Sequence, residues 1–228
     1  MSQDIRHFAE ELQLLKTRLL VMGDLAQRKV RSAVLALVER DMSLVREIIQ
    51  GDEAVNSLQI EIDDRCFKLL ALYQPMAVDL RTIVAAERIN SDLERVGDLA
   101  VNIAEAAERY ITHPPVKPLV DLPHMSVLAE GMLHDALEAF VSERIDTAQQ
   151  VLVQDDMLDA LKNQIFRELL TYMIGDPKKI EPAIDLILIS RHLERIGDHA
   201  TNIAEDVIFI VEARDVRHGA HERADSGD

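Results

Sequence analysis

Leu93-Glu94-Arg95-Val96-Gly97-Asp98, continued by Asn102-Ile103-Ala104-Glu105, returns one hundred positions later as Leu193-Glu194-Arg195-Ile196-Gly197-Asp198 and Asn202-Ile203-Ala204-Glu205. Between 89–105 and 189–205, eleven of seventeen positions are identical, and Val96/Ile196 is a mild swap. Self-similarity at a fixed offset points to a fold built from two copies of one unit, so any chemistry should occur twice.

Outward from these stretches, the apolar residues recur at helical spacing. Phe8, Leu12, Leu15, Leu19, Met22, Leu25, Val30, Ala33 and Leu37 mark one long amphipathic helix from 5 to about 40, softly interrupted at Gly23-Asp24. Asp41 and Ser43 can cap a restart, and a short apolar segment through Val45 and Ile49 follows up to Gly51. A second helix is expected from Asp52 to about Tyr73, ended by Gln74-Pro75. A third runs from about Met76 to Thr112; its ~35 residues would span roughly 50 Å. Three prolines in His113-Pro114-Pro115-Val116-Lys117-Pro118 make the clearest linker, close to the midpoint. The second half repeats the plan. A fourth helix is expected from Pro123 to about Gln150, a fifth starting near Asp155, and a sixth from Pro177 to about Ala213. Residues 214–228 carry no apolar period and read as a disordered tail, with His218 and His221 weak metal candidates. The expectation is an all-α chain of six long helices, arranged as two tandem pseudo-symmetric three-helix bundles over 1–112 and 123–213, joined by the linker 113–122.

Composition narrows the function. Aromatics make up 4% of the 228 residues and Trp is absent, which favours helices over sheets. A formal charge of −16 argues against nucleic acid and anionic membrane surfaces as partners, since both need clustered Lys and Arg. The single cysteine, Cys66, cannot form an internal disulfide, and no signal-peptide pattern follows Met1. A cytoplasmic protein without direct membrane insertion is expected.

On a helical wheel with Glu94 at zero, Asp98 falls near about 40°, Asn102 near about 80° and Glu105 near about 20°. These residues form one oxygen-bearing stripe beside the apolar seam of Leu93, Val96, Val101 and Ala104. Glu194, Asp198, Asn202 and Glu205 repeat it. Carboxylates at i and i+4 repel one another, and Gly97 and Gly197 each cost about 1 kcal/mol against Ala in a helix interior. Such penalties, carried twice, call for a compensating gain. One account is structural: Arg95 and Arg195 pair with neighbouring acids, and Gly permits close helix approach. The other is a hard divalent cation bridging the acids. Asp155 and Asp159 near the start of the fifth helix would supply ligands from a second direction; their first-half equivalents are Asp52 and Asn56. Asn56 brings less charge, so the first site should hold metal more weakly. Helix capping is an equally good reading of Asp52 and Asp155. No H-E-x-x-H, phosphate-loop or nucleophile-elbow motif occurs, and Gly stands where di-metal oxidases carry the His of E-x-x-H.

The two copies of L-E-R-V/I-G-D-x-A-x-N-I-A-E, with Gln74-Pro75 and Asp79-Leu80-Arg81, resemble the PhoU family, the accessory and regulatory proteins of the phosphate-specific transport system. The resemblance covers nearly the whole chain. It implies paired three-helix bundles, often dimeric, bearing metal ions (iron, manganese, magnesium or zinc) in multinuclear clusters. The metal ligands it implies are Glu94, Asp98, Asp52 and Asn56 in the first half, and Glu194, Asp198, Asp155 and Asp159 in the second; Asn102 and Asn202 are further candidates. It also implies a non-enzymatic negative regulator of phosphate uptake and of the phosphate-starvation response. Its partners would be the transporter's ATP-binding subunit and a sensor histidine kinase. Arg81 and the outward sides of the first and fourth helices are candidate contact faces. The alternatives are a helical, carboxylate-bridged metalloenzyme and a purely structural bundle with solvated acid stripes.

Overall fold

The repeat folds as two antiparallel three-helix units. In this computed structural model, which describes residues 2–51, 53–214 and 216, the first unit comprises α1 (Ser2–Glu39), α3 (Glu53–Tyr73) and α4 (Ala77–Ile111). The second comprises α5 (Asp121–Ser142), α6 (Ile145–Gly175) and α7 (Ile180–Glu212). A short α2 (Met42–Gln50) lies between α1 and α3, and a 3₁₀ turn over Pro177–Lys179 leads into α7. Six long helices are present as expected, and no strand occurs among the described residues.

Breaks repeat along with helices. Arg40 (φ 57°) and Glu143 (φ 54°) both take the left-handed conformation just past α1 and α5. The next amides then reach back five residues, Asp41 N to Ala36 O at 3.0 Å and Arg144 N to Ala139 O at 3.1 Å. This is the bond pattern that closes a helix with its last carbonyls satisfied. Neither position is Gly, so each strained backbone is secured by its side chain. The Arg40 guanidinium donates to the carbonyls of Ile111 and His113, both at 2.6 Å, while Glu143 accepts from Lys16 at 2.8 Å. Asp41 caps α2 by accepting from the amides of Ser43 and Leu44.

Two expected boundaries in the second half are corrected. The helix drawn from Pro123 to Gln150 ends at Ser142, because the left-handed turn at Glu143 needs neither Gly nor Pro to form. The next helix starts at Ile145, ten residues before Asp155. Gly51, which separates α2 from α3, corresponds to Gln154, and with a good helix former there α6 runs on unbroken. Asp155 therefore lies inside a helix, and the capping reading of it is excluded. The tail expected at 214–228 falls outside the described residues except for Arg214 and Val216, and Val216 packs against the core. His218 and His221 are likewise outside them.

The two units share one continuous apolar core. At its centre α4 and α7 run antiparallel, with Arg81 facing Ile210, Arg88 facing Asp206, Asp92 facing His199 and Arg109 facing Asp185. Small residues buried along both helices, including Ala85, Ala86, Ala100, Ala104, Ala107, Ala183, Ala200 and Ala204, allow this close pairing. α1 and α5 are antiparallel as well, linked by Arg31 donating to the buried Glu130, which also accepts from Ser126 at 2.8 Å. α3 and α6 pack on the outside of α4 and α7, and this places the repeated acids at a helix–helix groove in each half.

Candidate metal centre

In the second half the acids come from two helices. α7 carries Glu194 and Asp198 one turn apart, and α6 carries Asp155 and Asp159 one turn apart, running the opposite way. Gly197 sets their separation. A Cβ there would sit 2.3 Å from Leu158 Cδ2 and 3.4 Å from Asp155 Oδ1, so a larger residue would require the buried Leu158 side chain to shift. The structure accordingly brings together all four acids singled out in the sequence of this half. Burial, then the charges of Asp198, Asp159 and Glu194, push the Asp155 carboxyl up to about 6. Asp198 is pushed upward as well, by burial and by Glu194, against the opposing pull of His199 and Lys162. Asp155 and Asp198 therefore bind their protons more tightly than free carboxyls do, through burial and the acids around them.

Lys162 already engages this group. Its ammonium donates to Asp159 Oδ1 at 2.8 Å and to Glu194 Oε1 at 2.7 Å, bridging α6 and α7. These two hydrogen bonds push the lysine's own pKa up. No group of three or more His, Cys, Asp or Glu among the described residues is arranged to hold a metal ion. Sequence reasoning overlooked Lys162. The available signal was its position three residues after Asp159, on the same helix face.

The first half has the same frame with different chemistry. A Cβ at Gly97 would lie 3.3 Å from Val55 Cγ1, the counterpart of the Gly197–Leu158 contact. Asn56, the next residue, therefore holds the register that Asp159 holds in the other half. Asp52 lies outside the described residues. Gln59 occupies the position equivalent to Lys162. Here the nearby cation is Arg95 of the same helix, 3.6 Å from both Glu94 and Asp98 and mostly exposed. Glu94 is the more sheltered of the two acids, at 19% exposure against 42% for Asp98.

The remaining candidates are placed differently. Asn202 is drawn across the central seam, its Nδ2 donating to Asp92 Oδ1 at 3.4 Å. The same oxygen lies 2.8 Å from His199 Nδ1, so His199 joins the two halves. Asn102 is half-buried, Glu105 exposed and Glu205 half-buried. Arg81, a candidate partner contact, donates its Nε–H to the Ile210 carbonyl at 3.0 Å and so ties α4 to α7. No helix among the described residues is long and apolar enough to cross a membrane.

Comparison with known proteins gives the frame a family. The model of the PhoU domain matches twice, over residues 19–107 and 122–207, once for each unit. The chain is 42% identical over 206 residues to the phosphate-specific transport system accessory protein PhoU homolog of Caulobacter vibrioides, covering 90% of each chain. It is 40% identical over 209 residues to the Aquifex aeolicus homolog of the same name, covering 92% of this chain and 95% of that one. The crystal structure of PhoU from Pseudomonas aeruginosa superposes with a TM-score of 0.86 at 36% identity, over 91% of this chain and 100% of that one. That of the phosphate transport system regulatory protein PhoU from Streptococcus pneumoniae gives 0.84 at 30% identity, over 92% and 99%. The chain belongs to the PhoU family.

Proposed function

We propose that this protein is an accessory regulator of phosphate transport, restraining uptake and the phosphate-starvation response as a metal-binding adaptor between the transporter's ATP-binding subunit and a sensor histidine kinase. The observation that carries the regulatory reading is identity of about 40%, spread over both units, to accessory proteins of the phosphate-specific transport system. A role as adaptor suits a rigid double bundle that offers broad helical faces. Among these faces, the outer sides of α1 and α5 expose Leu35, Val38 and Val127 around an apolar groove that also includes Val34 and Pro123. The proposal includes action in the cytoplasm and assembly as a homodimer.

Glu194, Asp198, Asp155 and Asp159 would hold metal in the second half, and Glu94, Asp98, Asp52 and Asn56 in the first. Iron, manganese, magnesium and zinc are the candidate ions, and an all-oxygen donor set suits magnesium and manganese. The bound metal would supply positive charge that draws the two helices of each groove together. The protein's own residues do the rest: Gly197 and Gly97 let the paired helices approach closely, and the acid side chains would regroup about the ion.

The test is co-purification of tagged protein from phosphate-replete and phosphate-starved cells, with metal analysis of protein prepared without chelator. Recovery of the transporter ATPase and the kinase, together with derepression of a starvation reporter on deletion, is the expected result. Failure to recover either partner under both conditions would remove the adaptor reading, and protein free of metal would remove the metal part.

A further inference from the structure

Arg81, Arg88, Arg95 and Arg109 fall within about 80° of one another on the α4 wheel, beside the buried arc, and Arg191 and Arg195 stand one turn apart on α7. Three of them reach across the seam: Arg81 to the Ile210 carbonyl, Arg88 to Asp206 and Arg109 to Asp185. The solvent side of the α4–α7 seam is thus a strip of guanidinium groups, on a chain with 41 Asp and Glu against 25 Lys and Arg. Its two ends are not neutralised alike. At one end Asp92 meets His199 at 2.8 Å and Arg88 meets Asp206 at 2.9 Å. Ser91 and Asp92 correspond to Arg191 and His192 in the repeat, so the other end exchanges a neutral residue and an acid for two bases. There Arg191 and Arg195 are exposed and make no hydrogen bond or ion pair among the described residues. Arg95, the counterpart of Arg195, lies 3.6 Å from Glu94 and Asp98, whereas in the second half Lys162 engages Glu194. Arg109 joins the pair from α4, braced by the buried Asp185 at 2.9 Å while its own side chain stays 53% exposed. Burial, then the charges of Arg195, Arg191 and Arg109, hold the His192 ring below its ordinary pKa, so the three guanidinium groups act on one place. We propose that this end of the seam, Arg109, Arg191 and Arg195, is a docking surface for an acidic segment of a partner protein. Guanidinium forks match carboxylates in a planar, two-bond geometry. Asp98 and Asp198, one turn beyond Arg95 and Arg195, keep the strip narrow, which suits a short acidic segment and not the long phosphate track of a nucleic acid. The surface is independent of the metal reading and of the partners named above.

The experiment is fluorescence anisotropy of a labelled peptide of alternating Glu and Ser, titrated with the full-length protein at low salt. A Gln/Ser peptide serves as the uncharged control. Wild type should bind the acidic peptide and not the control, and added NaCl should release it. Arg191→Glu/Arg195→Glu should weaken binding by about tenfold or more, since two attractive charges become repulsive ones. Arg28→Glu/Arg46→Glu makes the same change in net charge at exposed sites on α1 and α2, and should leave binding within about twofold of wild type. Thermal melts confirm that each variant folds, and Arg191→Ser/Arg195→Gln replaces the charge reversal if that variant does not. Absence of binding to the acidic peptide at about 1 mM protein, or equal weakening by the two double reversals, would overturn the surface. Tighter binding of duplex RNA or of phosphatidylglycerol vesicles through the same arginines would overturn its assignment to an acidic protein segment.

Discussion

Asp155→Asn should stabilise the metal-free protein, although it removes a charged residue from a helix and adds no contact. Asp155 is pushed up to about 6 from the ordinary 3.8 by burial and by Asp198, Asp159 and Glu194. A carboxyl that binds its proton more tightly when folded weakens the fold wherever it is ionised. The penalty is fully present above about pH 7, fades as pH falls through 6, and is gone below about pH 4. At 1.36 kcal/mol per pH unit the gap sets a ceiling of about 3 kcal/mol. Asp155 is only partly buried, and solvent screening brings this down to about 1–1.5 kcal/mol. For a chain of this size that corresponds to a rise in Tm of about 2–6 °C. Circular-dichroism melts in chelator at pH 7.5 and pH 4.5 measure it: the Asn variant should melt higher at pH 7.5, with about two-thirds of that gain lost at pH 4.5. A variant that melts lower at pH 7.5, or a gain of equal size at both pH values, would refute the argument that the four acids repel one another. Added Mn²⁺ should raise the wild-type Tm more than that of the variant.

Gly197→Ala should destabilise by about 1 kcal/mol net, because overpacking against the buried Leu158 outweighs the ~1 kcal/mol that Ala gains in helix propensity. Gly97→Ala, whose Cβ meets Val55 at 3.3 Å, should be closer to neutral. Denaturant melts of the two variants compare them directly, and equal effects would show that the two grooves are equally tight. Cys66 is 3% exposed and its thiol is pushed up to about 12 by burial, then by Asp63 and Glu87. At pH 8 its thiolate fraction is about a thousandfold below that of a free thiol, so iodoacetamide should label the protein only as it unfolds. Labelling of native protein at the free-thiol rate would contradict the packing of α3.

The helices and their doubling were legible because apolar spacing and the Leu93–Asp98 repeat are local in the sequence. The end of α3 at Gln74-Pro75 was legible for the same reason. The turn at Glu143 was not: its left-handed backbone is fixed by a contact with Lys16, 127 residues away, and no Gly or Pro marks it. The continuity of α6 lay in Gln154 standing where the first half has Gly51, a difference that carries meaning only once the halves are set side by side. Within the site, the acid stripes could be read from the 3.6-residue period. Lys162 escaped because its role depends on Glu194 on a different helix, and neither residue is unusual alone. Arg81 and His199 are similar cases, since each is explained by a partner across the α4–α7 seam.

The break at Gly51 has an electrical side. Because α3 begins at Glu53, Asn56 lies in the first turn of a helix, where unpaired backbone amides act as roughly half a positive charge. Asp159 lies deep inside α6, far from any helix end. The first half thus adds a positive field built into the backbone to the Arg95 side chain beside its acids, and the second meets its acids with Lys162 from the facing helix. A backbone field cannot swing aside, take an acetyl group or be lost to a point substitution, whereas an ammonium on a four-carbon stem can do all three. Of two clusters grown from one repeat, one is permanently biased and the other is adjustable.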